Sequence, residues 1–140
     1  MYYDLGRTLS PQCLAYCLHT ARQLGADRPV AASMMTPDEL TRPHLDMVAM
    51  AIPPPWIWVT FVSIASSQQI VAHTDPPLAR GLRRYHIPIQ TNDNCWVFSN
   101  GTWQQLKEGQ VYRMNPAEPH GAVNWGAETR IHLLVDRQED

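Results

Sequence analysis

Two histidines and one aspartate occupy positions from which they could bind a metal ion. His73 and Asp75 occur in "AHTDPP", and His120 follows the turn sequence "NPAEP". Alternate residues of a β-strand face the same side, so His73 and Asp75 can point together while His120 arrives from a distant strand. Two imidazoles and one carboxylate form the ligand set typical of non-haem Fe(II) oxygenases, which leaves metal positions open. We therefore predict a catalytic iron site at these three residues.

Arg130 is a cation in an otherwise apolar stretch. The segment "TRIHLLVD" has apolar residues on both faces, which predicts a strand buried on both sides. A buried guanidinium needs an anion, and it fits a carboxylate through two parallel hydrogen bonds. A dicarboxylate cosubstrate, held at one end by Arg130 and at the other by the metal, would satisfy it. We expect His132, by contrast, to point to the outer face of this strand.

Short strands are predicted to position these residues. From Trp56 onward, about eight segments rich in Val, Ile, Trp and Tyr are separated by turn residues. The segments are "WIWVTFVSI", "QIVAH", "RRYHIPIQT", "CWVFSN", "TWQQL", "QVYRM", "GAVNW" and "TRIHLLVD". The pair Asn100-Gly101 predicts a tight hairpin, because both residues of a type I′ turn need positive φ. Eight short antiparallel strands favour a small barrel or jelly roll.

The N-terminal part has helical signals. Ser10 can cap a helix, Pro11 suits its first turn, and Gly25 suits the position past its end. A weaker helix signal begins at Thr36. We therefore expect a single domain over residues 1–140, with an N-terminal helical segment at about 1–52 and a β core at about 56–136.

Composition excludes several classes of function. The net charge is -2, so we expect no nucleic-acid partner. No run of about eighteen apolar residues predicts a membrane span, and the first residues lack the pattern of a signal peptide, so we expect a cytoplasmic protein. The three cysteines are an odd number, which favours reduced thiols. Cys13 and Cys17 share a predicted helix face, and packing there is favoured over zinc binding.

Four separated motifs resemble one enzyme family. They are "HTDPP", "RRYHIPI", "LKEGQVYRMNPAEPHGAVNWG" and "TRIHLLVD". With their order and spacing, the sequence from about Phe61 to Asp136 resembles the aspartyl/asparaginyl β-hydroxylase family of Fe(II)/2-oxoglutarate dioxygenases, in a short bacterial or phage-like form. The resemblance implies an all-β core folded as a double-stranded β-helix, a cupin-like jelly roll, with one or two N-terminal helices packed outside.

The resemblance also implies roles for individual residues. His73 and His120 would be iron ligands, and Asp75 would be the third ligand, a carboxylate that the vertebrate members lack at this position. Arg130 would bind the distal carboxylate of 2-oxoglutarate.

Three further residues would surround the cosubstrate. Ser63 would assist Arg130 in binding the distal carboxylate. His86 and Arg84 would lie beside the metal-bound end of the cosubstrate or hold a carboxylate of the substrate.

The function so implied is hydroxylation of an unactivated C–H bond with Fe(II), 2-oxoglutarate and O₂. The substrate would be an Asp- or Asn-like amino acid, free or within a peptide, with no membrane partner. Two alternatives remain open: a cupin-like metalloenzyme that does not use 2-oxoglutarate, and a non-catalytic module that binds a metal or small molecule.

Arg80 and Arg83 are expected to be solvated.

Overall fold

A computed structural model describes residues 1–28, 46, 48, 49 and 51–139, and the backbone of residues 32–34. The second predicted helix, with its signal at Thr36, lies outside these residues. Within them, no helix is long and apolar enough to cross a membrane.

Ten strands and the helix α1 make up the described elements. They are β1 (Tyr3–Thr8), α1 (Pro11–Gln23), β2 (Ala32–Met34), β3 (Trp56–Ile64), β4 (Gln68–His73), β5 (Leu82–Gln90), β6 (Cys95–Ser99), β7 (Thr102–Gln104), β8 (Gln110–Met114), β9 (His120–Asn124) and β10 (Arg130–Gln138). The predicted strands from Trp56 onward correspond to β3 through β10. The segment predicted as helical contributes β1 and β2 as well as α1, so that prediction was incomplete.

The strands form two antiparallel sheets. One has six strands in the order β1-β8-β5-β10-β3-β2, and the other has four in the order β4-β9-β6-β7. β10 lies between β5 and β3, and its residues from Arg130 to Asp136 are all buried. This central position explains why "LLV" is apolar without alternation, because both faces of the strand are covered.

Helix α1 covers one face of the six-stranded sheet. The Ser10 hydroxyl accepts a hydrogen bond from the Cys13 amide at 3.1 Å, and Gly25 has φ +79° just past the helix end, so both predicted ends are confirmed. Cys13 and Cys17 are free thiols buried in the same apolar cluster as Leu133 of β10. Packing of this helix face is therefore confirmed as their structural role.

The predicted hairpin joins β6 to β7. Asn100 has φ +48° and Gly101 has φ +85°, which are the two positive angles that a type I′ turn requires. The hairpin closes one edge of the four-stranded sheet, whose other strands, β4 and β9, contribute the two histidines of the predicted metal site.

Candidate metal centre and its cavity

His73 and His120 lie directly opposite each other on the paired strands β4 and β9. The register runs from Ile70 opposite Ala122 to His73 opposite His120, so β4 has one extra residue between these pairs. Such a β-bulge re-aims side chains. It brings the two imidazole ring centres to 4.3 Å.

Gly121 permits this close approach of the strands. A Cβ atom at Gly121 would lie 2.7 Å from the backbone oxygen of Ile70 and 3.0 Å from the backbone nitrogen of Ala72. Real Cβ atoms essentially never come that close to backbone atoms. Any larger residue would therefore push β4 away from β9 beside the paired histidines.

Both histidines have the ring orientation that a metal ligand needs. Nδ1 of His73 lies 2.8 Å from the backbone oxygen of Val71, and Nδ1 of His120 lies 2.8 Å from that of Glu118. A carbonyl oxygen only accepts, so each Nδ1 is the donor of this hydrogen bond and each Nε2 is the ring nitrogen left to face a metal ion. Backbone partners of this kind fix the tautomer and orientation of metal-binding histidines.

Asp75 bridges the two imidazoles. Its Oδ1 lies 3.5 Å from Nε2 of His73, and its Oδ2 lies 3.3 Å from Nε2 of His120. The backbone amide of Asp75 donates to the oxygen of Pro116 at 2.9 Å, which ties the loop after β4 to the turn before β9. The Asp75 backbone is thus fixed to the turn before β9, while its carboxylate contacts one histidine on each strand.

These three side chains fit a divalent metal ion. Their ligand atoms all lie within 4.8 Å of one another. Neighbouring ligands at bond lengths of about 2.1 Å are separated by roughly 3 Å in an octahedral set, close to the two distances from Asp75. Two neutral nitrogens and one carboxylate suit iron, and a set of three leaves room for exogenous ligands.

Arg84 holds Asp75 as part of an ion-pair network. Its Nε and Nη2 donate to Oδ1 and Oδ2 of Asp136 at 2.8 and 2.9 Å, and its Nη1 donates to Oδ2 of Asp75 at 3.3 Å. The guanidinium also lies 5.5 Å from the ring centre of Trp58. All three nitrogens of Arg84 therefore contact a carboxylate of the protein. A substrate contact at Arg84 stays a prediction. In the structure this side chain already binds the carboxylates of Asp136 and Asp75.

The metal centre opens into a cavity of about 590 Å³ between the two sheets. Its imidazole, carboxylate and guanidinium groups belong to His73, Asp75, Arg84, His86, His120 and Arg130. Val62, Ile70, Met114 and Leu134 give the remaining wall an apolar character. A cavity with few polar groups on an apolar wall is typical of small-molecule sites.

Arg130 is a buried cation without a protein anion in the described part of the chain. It is 3% exposed, and its Nε has no hydrogen-bond partner there. Burial lowers the pKa of Arg130 to about 10. A guanidinium in this state offers its donors to an anion that enters the cavity. The structure thus brings Arg130 to the cavity of the predicted iron ligands.

His86 and His132 form a buried pair. Their Nδ1 atoms are 3.3 Å apart, so one ring donates and the other accepts. Burial holds the pKa of both well below the ordinary value, and the charge of Arg130 lowers each further. The expectation that His132 points outward was wrong. Alternation along β10 places it on the same face as Arg130, and this signal was present in the sequence.

Tyr2 was not predicted from the sequence. It is 5% exposed and lines the cavity, and its ring packs edge-on against His86 with centres 5.3 Å apart. Burial raises the pKa of Tyr2 to about 12, against the lowering effect of Arg130 and Arg84. The hydroxyl therefore stays protonated and available as a donor. Nothing in the local sequence identified it, because the pairing of β1 with β8 brings it there.

Ser63 does not join this group. It pairs in register with Ile131, and alternation places it on the face of β3 opposite to that of Ile64, the partner of Arg130. It is buried but does not line the cavity. The predicted help of Ser63 in cosubstrate binding therefore has no support in this geometry.

Comparison with known proteins shows the family of this chain. The family model for aspartyl/asparaginyl beta-hydroxylase matches residues 49–139, which include the three candidate ligands, Arg84, His86 and Arg130. The chain belongs to the aspartyl/asparaginyl β-hydroxylase family. The predicted membership is confirmed.

One curated relative is L-proline cis-4-hydroxylase from Rhizobium meliloti (strain 1021), which is 23% identical over 109 residues. The match covers 77% of this chain and 37% of the relative, so the chain spans little more than a third of that protein.

Solved structures support the fold. AviO1 from Streptomyces viridochromogenes Tue57 is 14% identical with a TM-score of 0.69, covering 99% of this chain and 89% of the other. The cupin domain of an XRE-family regulator from Enterobacter cloacae is 13% identical with a TM-score of 0.51, covering 79% and 99%. The predicted all-β, cupin-like double-stranded β-helix with an N-terminal helix is confirmed.

Proposed function

We propose that this protein is an Fe(II)- and 2-oxoglutarate-dependent hydroxylase. Iron would bind to His73, Asp75 and His120, and with 2-oxoglutarate and O₂ it would supply the oxidising power that replaces a C–H hydrogen by hydroxyl, with release of succinate and CO₂. The observation that carries the proposal is the shared cavity, in which two correctly oriented imidazoles and a carboxylate face the same space as a buried arginine that pairs with no carboxylate among the described residues.

Arg130 would bind the distal carboxylate of 2-oxoglutarate. Its burial makes an anion favourable there, and a carboxylate can accept two hydrogen bonds from a guanidinium. Tyr2, protonated and within the same cavity, can add a donor. His86 would contact the cosubstrate through its ring, oriented by its bond to His132.

The other cavity residues would orient the reactants and exclude water. Ile70, Met114 and Leu134 form an apolar wall beside the metal centre. Such a wall leaves room for an apolar part of a substrate, which suits attack on an unactivated C–H bond. No side chain needs to act as acid or base, because the metal and the cosubstrate carry the difficult chemistry.

The substrate would be an amino acid or an amino-acid residue of a peptide. The name of the proline hydroxylase relative and the family name support this class, while the choice between Asp, Asn, Pro and others stays open. Arg84 already donates to Asp136 and Asp75, so it would bind the substrate only through the N–H groups that these two carboxylates do not use.

A coupled turnover assay tests the proposal. The protein, Fe(II), 2-oxoglutarate and O₂ are incubated with a panel of L-amino acids and capped dipeptides containing Asp, Asn or Pro. Succinate is measured by NMR, and a mass gain of one oxygen atom by mass spectrometry. We expect both products in the wild type and neither in His73→Ala. Metal binding without succinate across the panel would instead favour a cupin-like enzyme of other chemistry or a binding module.

A further inference from the structure

A second concave surface adjoins the metal cavity. It is a groove of about 570 Å³, lined on one side by the loop that begins at Pro77 and the first residues of β5, and on the other by the end of β8 and the following turn. Met114 lines both the groove and the metal cavity. The loop begins two residues after Asp75, so the groove lies next to the candidate catalytic centre.

Three arginines line this groove: Arg80, Arg83 and Arg113. In the described part of the chain, none of these three guanidinium groups lies within 4.0 Å of a carboxylate oxygen, so none forms an ion pair there. Their one hydrogen bond among the described residues runs from Arg83 to the backbone oxygen of Leu82. The neighbouring Arg84 and Arg137, by contrast, are both paired with carboxylates.

The one acidic side chain of the groove does not neutralise these arginines. Glu118 lies 3.2 Å from the N-terminal amine, which itself carries a positive charge. The groove is therefore locally cationic in a chain whose net charge is -2. Clefts lined by one sign of charge concentrate ligands of the opposite sign.

The loop that carries Arg80 and leads into β5, where Arg83 lies, is hydrogen-bonded to the C-terminal end of the described chain. The amide of Glu139 donates to the oxygen of Gly81 at 2.6 Å, and the side chain of Gln138 donates to the oxygen of Arg80 at 3.2 Å. Gly81 has φ +82°, and a Cβ atom there would lie 2.7 Å from the oxygen of Glu139. The backbone of the loop is thus held against the end of β10, which fixes the points beside the groove from which the exposed side chains of Arg80 and Arg83 extend.

We propose that this groove binds an anionic group, a carboxylate or a phosphate, on a part of the substrate remote from the reacting carbon. The inference rests on the proposed function, because it assigns the groove to the substrate of that centre. It also specifies the substrate class. Arg83 and Arg113 alternate with Arg84 and Met114 along β5 and β8, so their side chains leave the sheet on the face opposite to the metal cavity. A molecule that passes from the metal cavity around the strand ends at Met114 to these arginines is extended, so a single free amino acid would leave the groove empty.

Binding of a labelled acidic peptide tests the proposal. Fluorescein-labelled pentaaspartate is titrated with the protein in about 0.15 M salt and followed by fluorescence anisotropy, with pentaasparagine as the uncharged control. We expect pentaaspartate to bind more tightly, and we expect Arg83→Gln/Arg113→Gln to weaken that binding at least tenfold. The matched variant Arg7→Gln/Arg22→Gln removes the same charge at exposed positions outside the groove and should change binding less than twofold.

Inorganic phosphate, added as competitor, distinguishes the two anion sources. Displacement of the peptide by millimolar phosphate points to a phosphorylated substrate, and resistance to it points to carboxylates. Equal weakening in both double variants, or no binding of either anion by the wild type, would overturn the proposal. The titration needs neither metal nor 2-oxoglutarate, so its failure is distinct from failure of metal binding, which is measured separately on the same protein.

Discussion

Replacing Arg130 by methionine should stabilise the protein in the absence of ligands. Arg130 is 3% exposed, and no carboxylate pairs with it in the described part of the chain. Methionine has an unbranched aliphatic side chain that can pack where the methylene groups of Arg130 pack, and it carries no charge. The folded state then no longer has to hold an uncompensated cation, so its free energy falls relative to the unfolded chain.

The size of the effect follows from the pKa. Burial lowers the pKa of Arg130 from 12.5 to about 10. One pKa unit corresponds to about 1.36 kcal/mol, so the charged guanidinium costs the folded state roughly 3 kcal/mol. Lost contacts of the stem offset part of this gain. We expect the free energy of unfolding to rise by about 1–3 kcal/mol, which raises Tm by roughly 4–10 °C in a chain of this size.

Arg84→Met is the matched control and should change stability in the opposite direction. Removing Arg84 leaves the Asp136 carboxylate, which is 5% exposed, without its two-point partner. Breaking a buried pair in this way destabilises by about 3–5 kcal/mol. Both variants are measured by urea unfolding with and without 2-oxoglutarate and a divalent metal. The ligands should stabilise the wild type more than Arg130→Met. A ligand-free Arg130→Met that is more than about 1 kcal/mol less stable than the wild type would refute this reasoning.

Three further expectations concern the metal centre and its surroundings. Gly121→Ala should weaken metal binding at least tenfold by calorimetry, since its Cβ would meet the oxygen of Ile70; unchanged affinity would show that the strands can part freely. Zn(II) at a hundred times its Kd should stabilise the wild type by about 2.7 kcal/mol and leave His73→Ala unchanged. His86 and His132 have lowered pKa values in the folded state, so below about pH 6.5 the unfolded chain binds more protons than the folded chain. The free energy of unfolding therefore decreases as the pH is lowered below this value. Each can contribute up to about 1.4 kcal/mol per pH unit, and His132→Gln should reduce that slope; equal slopes in both proteins would contradict it.

The local features of the fold were predictable because short-range chemistry decides them. Ser10 and Gly25 mark the ends of a helix through a side-chain acceptor and a positive φ. Asn100 and Gly101 mark a hairpin for the same conformational reason. The alternation from Trp56 onward follows from strands that are covered on at least one face.

Positions that depend on strand pairing were harder to predict. β1 is mostly exposed, so its residues show no apolar alternation, and only its pairing with β8 brings the adjacent Tyr2 into the cavity. Ser63 was assigned through the resemblance, whereas the register of β3 with β10 turns it to the other face.

The candidate ligands were predictable for a chemical reason. Two histidines and one aspartate form a recognised metal-ligand set, and this chemistry could be read from the sequence although only His120 of the three is buried. The bulge opposite Gly121, which pairs His73 with His120, has no comparable sequence signal. The arginine network of Arg84 likewise depends on Asp136 from the far end of the chain.

The most direct test of the central claim is an anaerobic titration of the apo protein with Fe(II) and then 2-oxoglutarate, followed by visible absorption. Fe(II) that chelates a 2-oxo acid gives a weak charge-transfer band. We expect this band in the wild type, no band in His73→Ala, and in Arg130→Met a band only at much higher 2-oxoglutarate concentration. Iron binding by the wild type without any band at saturating 2-oxoglutarate would contradict the central claim.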